Sequence, residues 1–219
     1  PKVATIPPGK APSRTTSPGQ KPPHLFIIIE ITENSLSLAR QTQYAMNATP
    51  LPDGFGLRPL RADDAPDIFT AIDTQREHLG RWLPFVAATH RVEQTREVVA
   101  AMLADPANPV FTLRVGDAFA GLIGFKSADS TTRTIEIGYW LRSEYQGRGL
   151  MTAAVEALCR TAFGQMGMEN VEIKCAAGNL RSNRIPLRLG FRLDRIEVRG
   201  EQLADGEFTD LNVYRLPRP

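Results

Sequence analysis

Cysteine is scarce in this chain: there are two in 219 residues, Cys159 and Cys175, both among apolar neighbours. That excludes a disulfide framework and leaves buried free thiols, as suits a reducing cytoplasm. No run approaches the ~18 apolar residues of a membrane-crossing helix, so no segment is expected to span a bilayer. Residues 25–29 are apolar, but Glu30 and Glu33 stand where a signal peptide would carry its small-residue cleavage site. An excess of one charge is missing too: 26 Lys and Arg face 24 Asp and Glu, a net charge of +2. Residues 1–23 hold Lys2, Lys10, Arg14 and Lys21 without an acid, so the remainder is slightly acidic. A nucleic-acid binder should carry a basic folded face, so direct nucleic-acid binding is not expected. No repeat is visible, and no metal site is expected.

What is present is ordinary for a globular protein: 42% hydrophobic and 23% charged residues. Residues 1–23 are Pro-rich and basic and lack hydrophobic periodicity, and the stretch 1–45 as a whole precedes the patterned chain. Residues 1–45 read as a disordered or non-native extension, the first methionine being Met46; the alternative is an edge strand over 25–31. The folded domain is then 46–219. Strands are expected at 55–60, 110–115, 118–126, 135–141, 171–175, 191–198 and 208–215. The second and third join through Gly116-Asp117, a hairpin signal. Helices are expected after Asp63 or Asp64 as cap with Pro66 in the first turn, over 92–103, and from Leu150 to a left-handed cap at Gly167. A short helix capped by Ser182 would hold Pro186 in its tolerated first turn.

The organising stretch is 135–163. A strand (Ile135-Glu136-Ile137-Gly138-Tyr139-Trp140-Leu141) runs through a polar turn into a helix with Leu150, Met151, Ala154, Val155, Leu158, Ala162 and Phe163 at helical spacing. The first N–H groups of a helix have no partner within it, and the helix dipole adds positive charge there. Gly147 and Gly149 let main chain approach a ligand, and Arg148 adds a full charge, so a phosphate or pyrophosphate is expected. A Walker loop would need Gly-Lys-Ser/Thr, and a dinucleotide fingerprint a third Gly or Ala where Thr152 stands. An ATP- or NAD-binding protein is therefore disfavoured.

The pattern that fits is Gln/Arg-x-x-Gly-x-Gly/Ala, with Gln146, Gly149 and, as a departure, Met151. With Asn179-Leu180-Arg181-Ser182-Asn183 and then Leu189-Gly190-Phe191, the chain resembles the GNAT family of N-acetyltransferases. Through EIGYWL and YQGRGLMTAA it is similar to the ribosomal-protein-alanine (RimJ/RimL-like) branch. The resemblance implies an α/β fold: a single GNAT-like domain, its mixed, mostly antiparallel sheet of six to seven strands having a splayed central pair and about four helices. It implies acetyl-CoA as cofactor, with its diphosphate on Gln146, Gly147, Arg148, Gly149, Leu150, Met151 and Thr152. Its pantetheine would lie along Gly138, Tyr139, Trp140 and Leu141, Gly138 marking a bulge that frees this edge, with Asn179 and Asn183 beside the arm. Where many relatives carry an acidic tyrosine this chain has Pro186, which leaves Ser182 as proton donor to the thiolate.

An α-amine with a pKa near 8 is about one-tenth neutral at pH 7, whereas a lysine is neutral about once in a few thousand. A protein N-terminus therefore asks least of a base, and Glu136 is the first candidate, by strand alternation with Gly138 and Trp140; Asp210 is the second. The acceptor side is expected at His78, Trp82 and Phe85. The leading reading is a cytoplasmic transferase moving acetyl from acetyl-CoA to the N-terminal α-amine of a ribosomal or other protein. Alternatives are a small-molecule amine acceptor (polyamine, antibiotic or amino acid) or a non-catalytic acyl-CoA-binding protein, and a homodimer is compatible with each.

Overall fold

A computed structural model describes residues 49–51 and 54–219. The extension at 1–45, its alternative strand at 25–31 and Met46 lie outside the described residues. Eight strands form one sheet in the order β1-β2-β3-β4-β5-β6-β8-β7: β1 Thr49–Pro50, β2 Phe55–Pro59, β3 Val110–Val115, β4 Ala118–Asp129, β5 Thr134–Leu141, β6 Asn170–Ala176, β7 Arg192–Gln202 and β8 Phe208–Pro217. Every neighbouring pair is antiparallel except β5 and β6, which are parallel. The eighth strand is the two-residue β1, too short to leave a periodic signal.

Six α-helices occur among the described residues, against about four expected: α1 Ala65–Thr74, α2 Arg76–Gly80, α3 Phe85–Ala88, α4 Val92–Leu103, α5 Leu150–Gly164 and α6 Leu180–Arg188. The surplus is α2 and α3, single turns on either side of Pro84 whose length hides their period. Asp64 does not cap α1 with its side chain. That carboxylate instead accepts from Arg61 N–H at 2.8 Å and pairs with Arg58 and, at 2.6 Å, Arg114, tying the start of α1 to β2 and β3.

The central strands are covered on both faces, which is why β4 reads as an apolar run instead of an alternating one. On one side Leu57, Leu113, Ile123, Phe125, Ile135, Ile137 and Ile173 meet Ala154, Val155 and Leu158 of α5. On the other, Leu122, Val110 and Trp140 meet Ile68, Ile72, Leu79, Phe85 and Val99 of α1 to α4. Beyond β6 the second face is uncovered and charged: Glu172 takes two hydrogen bonds from Arg195 and two from Arg215, stitching β6 to β7 and β8. Cys159 and Cys175 are both buried and unbridged. No helix of the described residues is long and apolar enough to cross a membrane.

Candidate functional site

β5 and β6 pair only over Thr134–Glu136 and Asn170–Glu172. Beyond Glu136, β5 continues against β4 and β6 against β8, so the two diverge and the main chain from Ile137 to Leu141 edges a notch. The bulge lies elsewhere than at Gly138, which pairs in register with Gly124. It is in β4, where Lys126 is the extra residue between the Phe125–Ile137 and Ser127–Glu136 pairs.

At the open end of β5 the chain turns through Ser143–Tyr145 into the glycine loop. Gly147 has φ 80° and Gly149 φ 75°, left-handed values that disfavour any side chain, and a Cβ on either would meet nothing within 4 Å. Both therefore border open space. The first helical bond of α5 runs from Ala153 N–H to Gly149 O at 3.0 Å, so the N–H groups of Leu150, Met151 and Thr152 precede the ladder and stand free of it. The side chain of Met151 is buried in the core, so only its main chain concerns the loop. Arg148 is exposed at the turn.

Loop and notch share one cleft of about 510 Å³, within the range of ligand sites. Tyr139, Trp140, Leu141, Gln146, Gly147, Gly149, Leu150, Met151, Thr152, Asn179 and Ser182 line it, with His78 and Trp82 on the opposite lip. Arg181, Arg184 and Arg188, on one face of α6, also line it, and no carboxylate does. An anion is what such a wall attracts. The Gln146 amide donates to Leu141 O at 3.2 Å and lies 2.8 Å from His78 Nε2, while its oxygen accepts from Arg181 at 2.8 Å. Gln146 is thus a brace joining α2, β5 and α6. Trp82 packs so close to Gly178 that a Cβ there would sit 3.2 Å from the indole.

At the base of the notch Ser182 Oγ lies 3.2 Å from both the Tyr139 hydroxyl and Cys175 Sγ. Ser182 does not cap α6. The cap is Asn179, whose Oδ1 accepts from Ser182 N–H at 3.2 Å, so the helix starts three residues earlier than expected and Pro186 falls within it. Asn183, expected beside the cofactor arm, is buried and outside the cleft lining. Its amide donates to Ala176 O (2.9 Å) and Asn179 O (2.7 Å), and its oxygen accepts from Asn212 (2.8 Å) and Tyr214 (2.8 Å). With every polar position used, it holds α6 on the sheet.

Glu136 does not line the cleft; it is at the closed end of the notch, paired with Lys126 at 2.7 Å and facing Lys174 at 4.0 Å. Asp210 accepts from Arg199 N–H at 2.8 Å, pinning an irregular stretch of β7 where Arg199 has φ 52°. Phe85 is core, packed with Leu79 and Val86 because α3 turns its ring inward. A further acid, Glu201, stands near Glu136, Lys126 and Lys174 and does not line the cleft. Burial, joined by the nearby charge of Glu136, pushes its carboxyl up against the opposing pull of Lys126 and Lys174. A register shift between β7 and β8 separates Glu197 from Glu201, and strand alternation cannot reveal such a shift.

Comparison with known proteins matches residues 55–192 to the acetyltransferase (GNAT) domain family. The putative ribosomal N-acetyltransferase YdaF of Bacillus subtilis (strain 168) is 30% identical over 164 residues, covering 73% of this chain and 89% of that protein. The ribosomal-protein-serine acetyltransferase of Escherichia coli (strain K12) is 35% identical over 106 residues, 48% of this chain and 58% of that one. A RimL ribosomal L7/L12 α-N-protein acetyltransferase solved with coenzyme A superposes with a TM-score of 0.73 at 22% identity, covering 78% of this chain and 97% of that one, a likeness of fold.

Proposed function

This chain belongs to the acetyltransferase (GNAT) family, and from that premise we propose that it acetylates a protein N-terminal α-amine in the cytoplasm, a ribosomal protein being the first candidate. It is an acetyl-CoA-dependent N-acetyltransferase. The observation that carries the acceptor choice is the kinship with two relatives named as ribosomal acetyltransferases. Chemistry points the same way, since an α-amine is already partly neutral at physiological pH.

The residues fit acetyl-CoA. The free N–H groups of Leu150 to Thr152 and the open space at Gly147 and Gly149 suit a diphosphate, and Arg181, Arg184 and Arg188 add positive charge without a competing acid. The unpaired edge of β5 from Ile137 to Leu141 suits the amides of a pantetheine arm. When bound, the cofactor supplies a thioester carbonyl open to an amine. Main-chain N–H groups of the β5 edge are placed to polarise that carbonyl. Trp82 packs against Gly178 as part of the cleft wall. Ser182 Oγ holds a hydrogen at the notch, and positioning the amine beside the thioester removes much of the entropic cost.

Glu201 stands with Glu136, Lys126 and Lys174, outside the cleft lining, so neither carboxylate is assigned as base. Glu201 has its folded pKa raised, mainly by burial, so ionising it costs stability. That stability is complete below the ordinary value of 4.5 and is lost as pH rises through the raised one. Glu201→Gln is therefore expected to melt higher than the parent at neutral pH. Its kcat/KM is expected to stay within about twofold of the parent's, because Glu201 does not line the cleft. Thermal melting and steady-state rates test both, and an unchanged or lower melting point would mean that ionised Glu201 costs the fold nothing.

The acceptor reading is tested by following thiol release with peptides bearing free Ser or Ala N-termini, the same peptides N-blocked with a free lysine, and a polyamine. The N-terminal peptides are expected to be preferred by at least about tenfold in kcat/KM. Preference for the polyamine replaces the protein acceptor with a small one.

A further inference from the structure

Three hydrogen-bonding side chains converge at the base of the notch from three different elements. The Tyr139 phenol of β5 lies 3.2 Å from Ser182 Oγ and donates to the Ser182 carbonyl at 3.3 Å. Cys175 Sγ of β6 lies 3.2 Å from the same Oγ and 4.0 Å from the phenol. An uninterrupted helix would offer the Ser182 carbonyl the N–H of residue 186, but that residue is Pro186 and has none. The phenol takes the vacant place.

We propose that Tyr139 is a positioning residue for thiolate departure: held between Ser182 and Cys175, its phenol turns the Ser182 hydroxyl hydrogen toward the sulfur that leaves. The inference rests on the acetyl-transfer reading, with Ser182 as hydrogen donor to that sulfur. The phenol's one hydrogen has two acceptors on a single residue at nearly equal distances. Rotation about its C–O bond moves it from the Ser182 carbonyl to Ser182 Oγ without moving a heavy atom. While it rests on the carbonyl, Ser182 gives its own hydrogen to the phenol oxygen. Once it rests on Oγ, with the Cys175 S–H on the other lone pair, Oγ accepts twice and its hydrogen is left for a third partner in the notch. Burial pushes the phenol up, and the Cys175 thiol up to about 11, so both stay protonated and act as donors. A hydroxyl that accepts two hydrogen bonds donates more strongly.

The balance is simple. The nitrogen–carbon bond forms, the carbon–sulfur bond breaks, and its electron pair goes to sulfur, where the Ser182 hydrogen bond meets it. The proton that ends on sulfur is the one the acceptor nitrogen sheds, while Tyr139, Ser182 and Cys175 keep theirs.

The test compares Tyr139→Phe, Ser182→Ala and their double variant by turnover and by a binding readout. In the latter, coenzyme A is added to each protein and its thiolate absorbance followed from about pH 7 to about pH 10. Tyr139→Phe is expected to lower kcat about tenfold with both KM values within about twofold. It should also raise the ionisation midpoint of the bound thiol as far as Ser182→Ala does, and the double variant should be no worse than Ser182→Ala. A Tyr139→Phe protein with parental kcat and midpoint overturns the proposal, as do losses that multiply in the double variant. Pro186→Ala probes it without touching the trio: it restores an N–H to the Ser182 carbonyl, keeps the phenol hydrogen on Oγ, and should lower the midpoint below the parent's. An unchanged or higher midpoint counts against the rotor. Failure of the parent protein to bind coenzyme A at all overturns the acetyl-transfer reading, and the proposal with it.

Discussion

Gly149→Val is expected to weaken acetyl-CoA binding by at least about 100-fold, a loss of about 3 kcal/mol, in a protein that still folds. Gly149 has φ 75°, where a β-branched residue costs about 1–3 kcal/mol, so some stability goes as well. Strain alone would appear in melting and not in affinity. What links the position to affinity is the space beside it, since a Cβ there meets no protein atom within 4 Å while lying next to the free N–H groups of Leu150 and Met151. An added side chain fills the volume a diphosphate needs. Gly167 supplies the control: its φ is 66°, a Cβ would again meet nothing within 4 Å, and it follows the other end of α5 outside the cleft. Gly167→Val should cost comparable stability and leave affinity within about twofold of the parent. Calorimetric titration with acetyl-CoA beside thermal melting separates the two, and equal affinities for the two variants would remove the loop from the site.

The contrast between those glycines shows where sequence reading is strong. Both were marked by local chemistry, a glycine beside a helix end, and local chemistry needs no knowledge of the rest of the fold. The same holds for β5, α5 and the β3–β4 hairpin, whose periods are long enough to register. The divergence of β5 from its neighbour also came through, carried by family resemblance, whereas the parallel pairing of β5 with β6 was not foreseen. Much of what did not come through depends on register. The bulge at Lys126 and the shift between Glu197 and Glu201 are displacements of a few residues set by pairing across the sheet, whereas the start of α6 at Leu180 turns on the local cap at Asn179. Glu136 shows the same dependence on register: Lys126, brought alongside by the bulge, ties it down outside the cleft lining. The rotamers of Tyr139, Ser182 and Cys175 could not be read at all, because they meet only once β5 is folded beside β6 and α6, with Tyr139 43 residues from Ser182.

Asn183 is the instance with the largest consequence for stability. It was read as a contact for the cofactor arm, and it is instead the buried peg that joins α6 to β6 and β8 through Ala176, Asn179, Asn212 and Tyr214. Asn183→Leu, close in volume, is expected to lower stability by about 3 kcal/mol. The loss is uneven across its four bonds. Ala176 O keeps the Asn179 N–H at 2.9 Å, so that carbonyl stays satisfied. The buried Tyr214 hydroxyl and the Asn212 amide lose their acceptor, and an orphaned buried donor costs about 1–3 kcal/mol. Removing the orphan should therefore recover part of the loss. The double variant Asn183→Leu with Tyr214→Phe is expected to be more stable than Asn183→Leu alone by about 1 kcal/mol, although Tyr214→Phe by itself destabilises. Denaturant unfolding of the four proteins gives the cycle. Because α6 carries Ser182, turnover should fall with Asn183→Leu even where the protein is folded, and should stay low in the double variant, whose added phenylalanine cannot hold the helix. Simple additivity of the two stability losses would mean that the network does not join these elements, and the placement of Ser182 would need another cause.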